Sequence, residues 1–256
     1  MKSYNSFFCV SWVLATLVWP YVTLTAQSAQ PHFGAAQYQG LPYRIYSPSH
    51  QDEAVKYPLI VFLHGAGERG HDNNAQLTHA AAWLTLTQLQ AKPCFVLVPQ
   101  CPPNARWVET DWGAEHHTQP IAPSIPLGCT MELLDSLLTA LPIDTNRLYL
   151  VGLSMGGFGT WDWIARQPHR FAAAVPICGG ADEQTAARLT HLPIWAFHGA
   201  LDNVVKVARS RRMIAAIRQY GGQPIYTEYP EVKHGSWIPA LQDPKLLHWL
   251  FAQQKN

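Results

Sequence analysis

LYLVGLSMGGFGTW, residues 148–161, runs from an unbroken apolar stretch through a cluster of small residues into a segment with helical spacing. Gly152, Ser154 and Gly156 fit the pattern Gly-x-Ser-x-Gly. Between a strand and a helix, this pattern sets the serine on a sharp, strained turn with its hydroxyl exposed. Side chains flanking such a turn would strike the neighbouring strand and helix, which is the reason for the glycines. Taken alone, the pattern equally describes a glycine-rich strand-to-helix turn whose serine merely caps the helix. The order of elements on either side decides between the two.

Outward from this turn, short apolar runs alternate with helical patterns. PLIVFLHG (58–65) precedes a helix expected from Ala75 to Gln90, and CFVLVPQ (94–100) precedes one expected from Thr130 to Leu141. RLYLVGLS (147–154) leads into a helix from Met155; FAAAVPICGG (171–180), PIWAFHGA (193–200) and PIYTEYP (224–230) continue the series. In VARSRRMIAAIRQYGG (207–222), Met213, Ile214 and Ile217 share one face, Arg211, Arg212 and Arg218 spread over the rest, and Gly221-Gly222 supplies the stop. DPKLLHWLFAQQ (243–254) reads as a last helix. Continuously apolar strands separated by helices imply a parallel sheet covered on both faces. LPYRIYSP (41–48) alternates instead and reads as an antiparallel edge strand. CPPNARWVETDWGAEHHTQPIAPSIPLG (101–128) has no periodicity and follows a strand's C-terminal end, the side where open α/β sheets bind ligands. Trp107, Trp112, His116 and His117 are therefore candidates to shape a site, against plain surface packing of a proline-rich loop.

The 256 residues suffice for one sizeable core. A formal charge of +1 provides no basic stripe or acidic tail that would point to nucleic acid or an anionic membrane surface; charge itself says nothing of partners, and no nucleic acid is expected among them. At the N-terminus, Lys2 precedes FFCVSWVLATLVWPYVTL (7–24) and the small, polar TAQSAQ (25–30). Residues 1–28 are expected to be a secretory signal cut between Ala26 and Ala29, with an uncleaved N-terminal anchor as the alternative. Residues 31–256 then form a single domain working outside the cytoplasm, secreted or periplasmic, with no stable membrane insertion after cleavage. There Cys94, Cys101, Cys129 and Cys178 could oxidise in any of three pairings, or stay as buried thiols.

A serine hydroxyl is a weak nucleophile at neutral pH and needs a base, itself oriented by an acid. On a strand–turn–helix of this kind the order is serine, acid, histidine. WAFHGALDNVV places Asp202 on the loop leaving a strand, and YPEVKHGSW places His234 on the loop after the next strand. Asp202 could otherwise be a helix cap, and His234 an ordinary loop histidine. Asp182 and Glu231 are competing acids; the first follows the preceding strand, and the second lies too close in sequence to His234. The oxyanion of an acyl-transfer intermediate needs two backbone N–H groups. Met155 is the candidate for one by position, and Ala66, in HGAGERG (64–70), for the other. Glu68 and Arg69 either hold that loop or touch substrate. His64, His71 and His79 match no closed zinc spacing, so no metal is expected.

With these residues in place the chain resembles the α/β-hydrolase superfamily, and more narrowly its secreted or periplasmic carboxylesterase and phospholipase-like group, also called predicted peptidases of the prolyl oligopeptidase type. HGAGERGHDN, FVLVPQCP, GLSMGGFGTWDWIARQPHRFAAAVPICGG, FHGALDNVV and KHGSW carry the resemblance, over nearly all of the chain from residue 41 to residue 250. It implies a mostly parallel twisted sheet with helices on both faces. It also implies hydrolysis through an acyl-serine intermediate, without cofactor, by Ser154, Asp202 and His234. Lys206 stands where proline is expected in such relatives. Only GADEQTAARLTHL separates PICGG from PIWAF, room for one helix and no large lid, which favours short-chain or soluble esters. The alternatives are a feruloyl or acetyl esterase acting on polysaccharide, an acyltransferase, a serine peptidase, or a binding protein on an inactive scaffold. Trp107 and Trp237 are expected to line the substrate pocket.

Overall fold

The computed structural model describes Met1 and residues 31–52 and 54–255. Apart from Met1, the expected signal segment lies outside the described residues. Eight strands form one sheet in the order β1-β2-β4-β3-β5-β6-β7-β8. They are β1 (Gly34–Tyr38), β2 (Leu41–Tyr46), β3 (Tyr57–Leu63), β4 (Phe95–Pro99), β5 (Ile143–Leu153), β6 (Ala173–Ile177), β7 (Trp195–Gly199) and β8 (Ile225–Tyr229). From β4 through β8 all neighbours are parallel, while β1 with β2 and β2 with β4 are antiparallel. The helices are α1 (Leu77–Trp83), α2 (Leu86–Ala91), α3 (Ile125–Ala140), α4 (Met155–Arg166), α5 (Ala208–Gln219), α6 (Trp237–Gln242) and α7 (Pro244–Phe251).

Successive strand residues point to opposite faces, and both faces of this sheet are dry. On β3, Leu59, Val61 and Leu63 pack into a core with Leu133 of α3, Phe158 and Ile164 of α4, and Met213 and Ile217 of α5. Ile60 and Phe62 pack on the other face with Trp83 of α1, Leu89 of α2, and Leu246 and Leu250 of α7. Each such side chain, taken wholly out of water, contributes about 1.5–3 kcal/mol, so continuous apolar runs are what a sheet covered twice requires.

The sheet places LPYRIY beside the edge strand, since β1 pairs outside it. GAAQY lacks the β-branched residues that mark a strand. It is held by a two-residue hairpin at Gln39-Gly40, whose φ values of 46° and 82° are those of the turn that matches strand twist. The helix expected over 75–90 is two helices, because Thr85 starts α2 with a capping box in which its hydroxyl accepts from Gln88 N and the Gln88 side chain accepts from Thr85 N. α3 begins earlier than expected, at Ile125, where Ser124 caps it and Pro126 occupies the first turn. Between β6 and β7 only a 3-10 stretch, Glu183–Leu189, intervenes, and among the described residues no lid domain is inserted there. Cys94, Cys101, Cys129 and Cys178 are all unpaired, and all but Cys129 are buried. No helix among the described residues is long and apolar enough to cross a membrane.

Candidate active site

Ser154 occupies the turn between β5 and α4 with φ 52° and ψ −116°, a left-handed backbone for a residue that carries a Cβ. Its N–H donates to Ile177 O at 2.9 Å, and its carbonyl accepts from Phe158 N at 3.0 Å, so β6 and α4 hold the turn from both sides. The close approach explains Gly156: a Cβ there would stand 1.9 Å from Leu63 O on β3.

The acid and the histidine arrive from the two parallel strands beyond β6. Asp202 follows β7, and its Oδ1 accepts from Val204 N and Val205 N, each at 2.9 Å. This oxygen closes the turn after Asp202 and does not cap α5, whose cap position is Val207, so the helix-cap role is not the one taken; the other oxygen is left for the site. His234 follows β8. Its Nε2 lies 2.8 Å from Ser154 Oγ and its Nδ1 2.8 Å from Asp202 Oδ2. The two loops touch at Gly199, where a Cβ would stand 2.3 Å from the carbonyl oxygens of both Val232 and Lys233. Burial alone would raise the Asp202 pKa; hydrogen bonds from His198, His234 and the amides of Val205 and Val204 outweigh it and hold the carboxyl well below the usual range. The other acids are engaged elsewhere or exposed. Asp182 accepts from Gln119 N and Gln184 N, and Glu231 lies in solvent.

Ala66 opens a 3-10 turn, Ala66–Glu68, and Met155 is the first residue of α4. N–H groups in such first turns have no partner within the helix. The loop bearing Ala66 is clamped from several directions. His64, fully buried, accepts from Cys101 N at Nε2 (2.9 Å) and donates from Nδ1 to Gly65 O (2.6 Å), which makes the ring neutral. Burial lowers its pKa to about 4. Arg69 Nε donates to Ala66 O at 2.9 Å, and the Gln100 amide spans Asp72 Oδ1 and Glu68 O. Glu68 Oε1 lies 3.6 Å from His79 Nε2. His79 and His234 both pack on Trp237, with ring centroids 5.6 and 5.4 Å away, while His71 is exposed.

Trp107 is not in a position to line a pocket. It is 0% exposed, packs in the core, and donates its indole N–H to His64 O at 3.0 Å, beneath the Ala66 loop. An indole is large and apolar enough for either role, and only burial separates them. Trp237 is half-buried against His234, and the Arg106 and Arg69 guanidiniums lie 4.4 and 5.8 Å from the centre of the Trp112 ring.

The long loop is anchored on α4 and α5. Arg209, fully buried, donates to Ala114 O and to His117 Nδ1, and Arg166 donates to the carbonyls of Pro120, Ile121 and Ala122. His117 has its pKa lowered to about 4, by burial first and then by Arg209. Lys206 pairs with Glu115 of the same loop, which gives this position a use for an amine that proline would not have. Sequence reading missed Arg209 because its apolar stem falls on the buried side of α5. It also missed His198, although FHGALD sets that histidine four residues before the acid, where a strand ends. Among the described residues one group of three donor atoms of metal-ligand type converges, from Cys178, Asp202 and His234 within 4.8 Å of one another. Two of the three already hydrogen-bond to each other.

Comparisons with known proteins address the family and the fold. The family model described as Phospholipase/Carboxylesterase matches residues 45–246. A solved thermostable esterase is 40% identical with a TM-score of 0.80, covering 87% of this chain and 63% of its own. The bifunctional acetylxylan esterase/xylanase XynS20E of Neocallimastix patriciarum is 29% identical over 168 residues, 65% of this chain and 22% of that protein. An uncharacterized secreted protein of Arthroderma benhamiae is 24% identical over 72% of this chain and 22% of its own length. The chain thus spans less than two thirds of each of these relatives. The family match extends over most of the chain, from β2 into α7, and takes in Ser154, Asp202 and His234. This chain belongs to the phospholipase/carboxylesterase family of α/β-hydrolases.

Proposed function

We propose that the protein is a serine esterase that hydrolyses short-chain or soluble carboxylic esters. One observation carries the reading: Ser154 Oγ, His234 and Asp202 are joined in series by hydrogen bonds of 2.8 Å and 2.8 Å. Ser154 Oγ attacks the ester carbonyl carbon while His234 Nε2 takes its proton. Asp202 accepts from His234 Nδ1–H, which sets the tautomer and stabilises the imidazolium. The N–H groups of Ala66 and Met155 receive the charge on the tetrahedral oxyanion. Collapse breaks the bond to the alcohol, which leaves with the proton from His234; water then repeats the sequence on the acyl-serine and frees the acid. No cofactor enters these steps.

The short connection between β6 and β7 has no room for a lid domain, which supports soluble esters over substrates met at an oil interface. Acetyl esters carried by a polysaccharide are the second reading, favoured by the acetylxylan esterase relative. Export is part of the same proposal, resting on the apolar stretch at 7–24 and on the secreted relative. N-terminal sequencing of protein recovered outside the cytoplasm tests it.

Treatment with a fluorophosphonate followed by peptide mass spectrometry is expected to give one adduct, on Ser154, with turnover of p-nitrophenyl acetate and butyrate. Ser154→Ala is expected to lower kcat by roughly 10⁶-fold, as in other serine hydrolases built on this constellation. Near-native turnover in that variant would sink the assignment, and an acetylated xylan oligosaccharide assayed beside the synthetic esters separates the two substrate classes.

A further inference from the structure

Asp202 faces two imidazoles. Besides His234, its Oδ2 has His198 Nε2 at 3.2 Å, and both of these side chains are 0% exposed. His198 lies on β7, and no step of the mechanism above uses it. Its hydrogen positions follow from its partners. Nε2 lies 2.9 Å from Val205 O, and a carbonyl oxygen only accepts, so Nε2 carries a hydrogen. Nδ1 lies 2.8 Å from Ser210 Oγ, which can serve as donor or acceptor and is itself 3.4 Å from Gly179 O. The buried N–H is hydrogen-bonded to the Val205 carbonyl, and the carboxylate oxygen lies 3.2 Å from the same nitrogen, within reach of a second, weaker share of that hydrogen. The other carboxylate oxygen is occupied by two backbone amides.

We propose that His198 is a positioning residue of the active site: its Nε2–H is a second donor to the carboxylate oxygen that orients His234, fixing the Asp202 rotamer and drawing off part of its charge. The proposal rests on the serine esterase reading for its catalytic meaning. A carboxylate oxygen that already accepts from His198 is a weaker acceptor for His234 Nδ1–H. It stabilises the imidazolium less, so His234 returns its proton to the leaving alcohol more readily. Two other titratable groups lie close by. The Cys178 thiol is neutral, pushed up to about 12 by burial, and Glu228 on β8 is bonded to Arg211 and Tyr226. Neither gives Asp202 an equivalent donor.

¹⁵N-histidine NMR of the folded wild-type enzyme gives the first reading and needs no substrate. His198 is expected with hydrogen on Nε2; a neutral Nδ1–H tautomer leaves nothing to donate and overturns the proposal. The second reading compares His198→Phe and His198→Gln, the glutamine amide standing in for Nε2–H. In His198→Phe the midpoint of the His234 titration, and with it the acid limb of kcat/KM against pH, is expected to move up by about half a pH unit, a fraction of what a full charge-assisted hydrogen bond would give. His198→Gln is expected to restore most of it. A merely structural role lowers the active fraction at every pH and leaves the midpoint in place, and an unmoved midpoint in folded His198→Phe refutes the proposal. If His198→Phe does not fold, the wild-type tautomer still decides. An NMR shift without ester turnover in the wild type would refute the esterase reading alone, and turnover with an unmoved midpoint would refute the positioning role alone.

Discussion

Gly199→Ala places a methyl group where the acid-bearing and histidine-bearing loops meet. The new Cβ would stand 2.3 Å from the carbonyl oxygens of Val232 and Lys233, and real Cβ contacts essentially never fall below 3.0 Å. Two peptide carbonyls, immediately before His234, must therefore retreat by about 0.7 Å or more, and neither is the end of a flexible side chain. Overpacking of this kind costs about 1–3 kcal/mol of stability, which a domain of this size survives with its fold intact. The cost to chemistry is larger in proportion. His234 reaches Ser154 Oγ at 2.8 Å, and a misplacement near 1 Å lowers rate by about 10²-fold. The expected variant is folded, melts a few degrees lower, and hydrolyses p-nitrophenyl butyrate with kcat reduced by roughly one to two orders of magnitude and KM little changed. Circular dichroism melting, steady-state kinetics and the rate of fluorophosphonate labelling read the three effects separately. A folded variant with kcat within twofold of wild type would show that the loops tolerate the shift and that close approach at Gly199 does not position His234.

Other expectations follow from the same geometry. Ser154→Gly and Ser154→Ala both lose the hydroxyl, but only alanine retains a Cβ at φ 52°, so the glycine variant is expected to be about 1 kcal/mol more stable and to melt a few degrees higher; the reverse order would deny the strain. Asp202 titrates lower in the folded than in the unfolded protein, so its ionised form stabilises the fold above the unfolded carboxyl value of about 4, and that contribution is lost as pH falls below it. The stability difference between wild type and Asp202→Asn, measured by denaturant unfolding, should then shrink from pH 6 to pH 3, and a constant difference would contradict the shift. Trp107→Phe removes the indole N–H donated to His64 O and is expected to cost about 1 kcal/mol in stability. The ratio of kcat/KM among p-nitrophenyl acetate, butyrate and octanoate should not change, and an altered chain-length preference would return Trp107 to the pocket.

Sequence alone determined the sheet, the turn and the three residues now seen in series. Buried parallel strands must be apolar without interruption, so PLIVFL, FVLV, LYLVGL and AAVPI declare themselves. The Ser154 turn needs glycine where backbones nearly touch, and chain order then assigns Asp202 and His234. These are local demands, met within a few residues and so legible there. β1 escaped notice because GAAQY is held by its hairpin and not by intrinsic preference, and the break at Thr85 was hidden by an apolar pattern running through both helices. Only the tertiary structure decided which side of a surface each aromatic and each histidine occupies. Trp107 and Trp237 look alike in sequence, yet one is sealed beneath the Ala66 loop and the other rests against His234. His198 and His234 flank the same carboxylate, and the structure shows that His234 reaches Ser154 while His198 is turned to Ser210. Burial and hydrogen-bond partnership depend on segments far apart in the chain arriving at one place, and no window along the sequence contains that meeting.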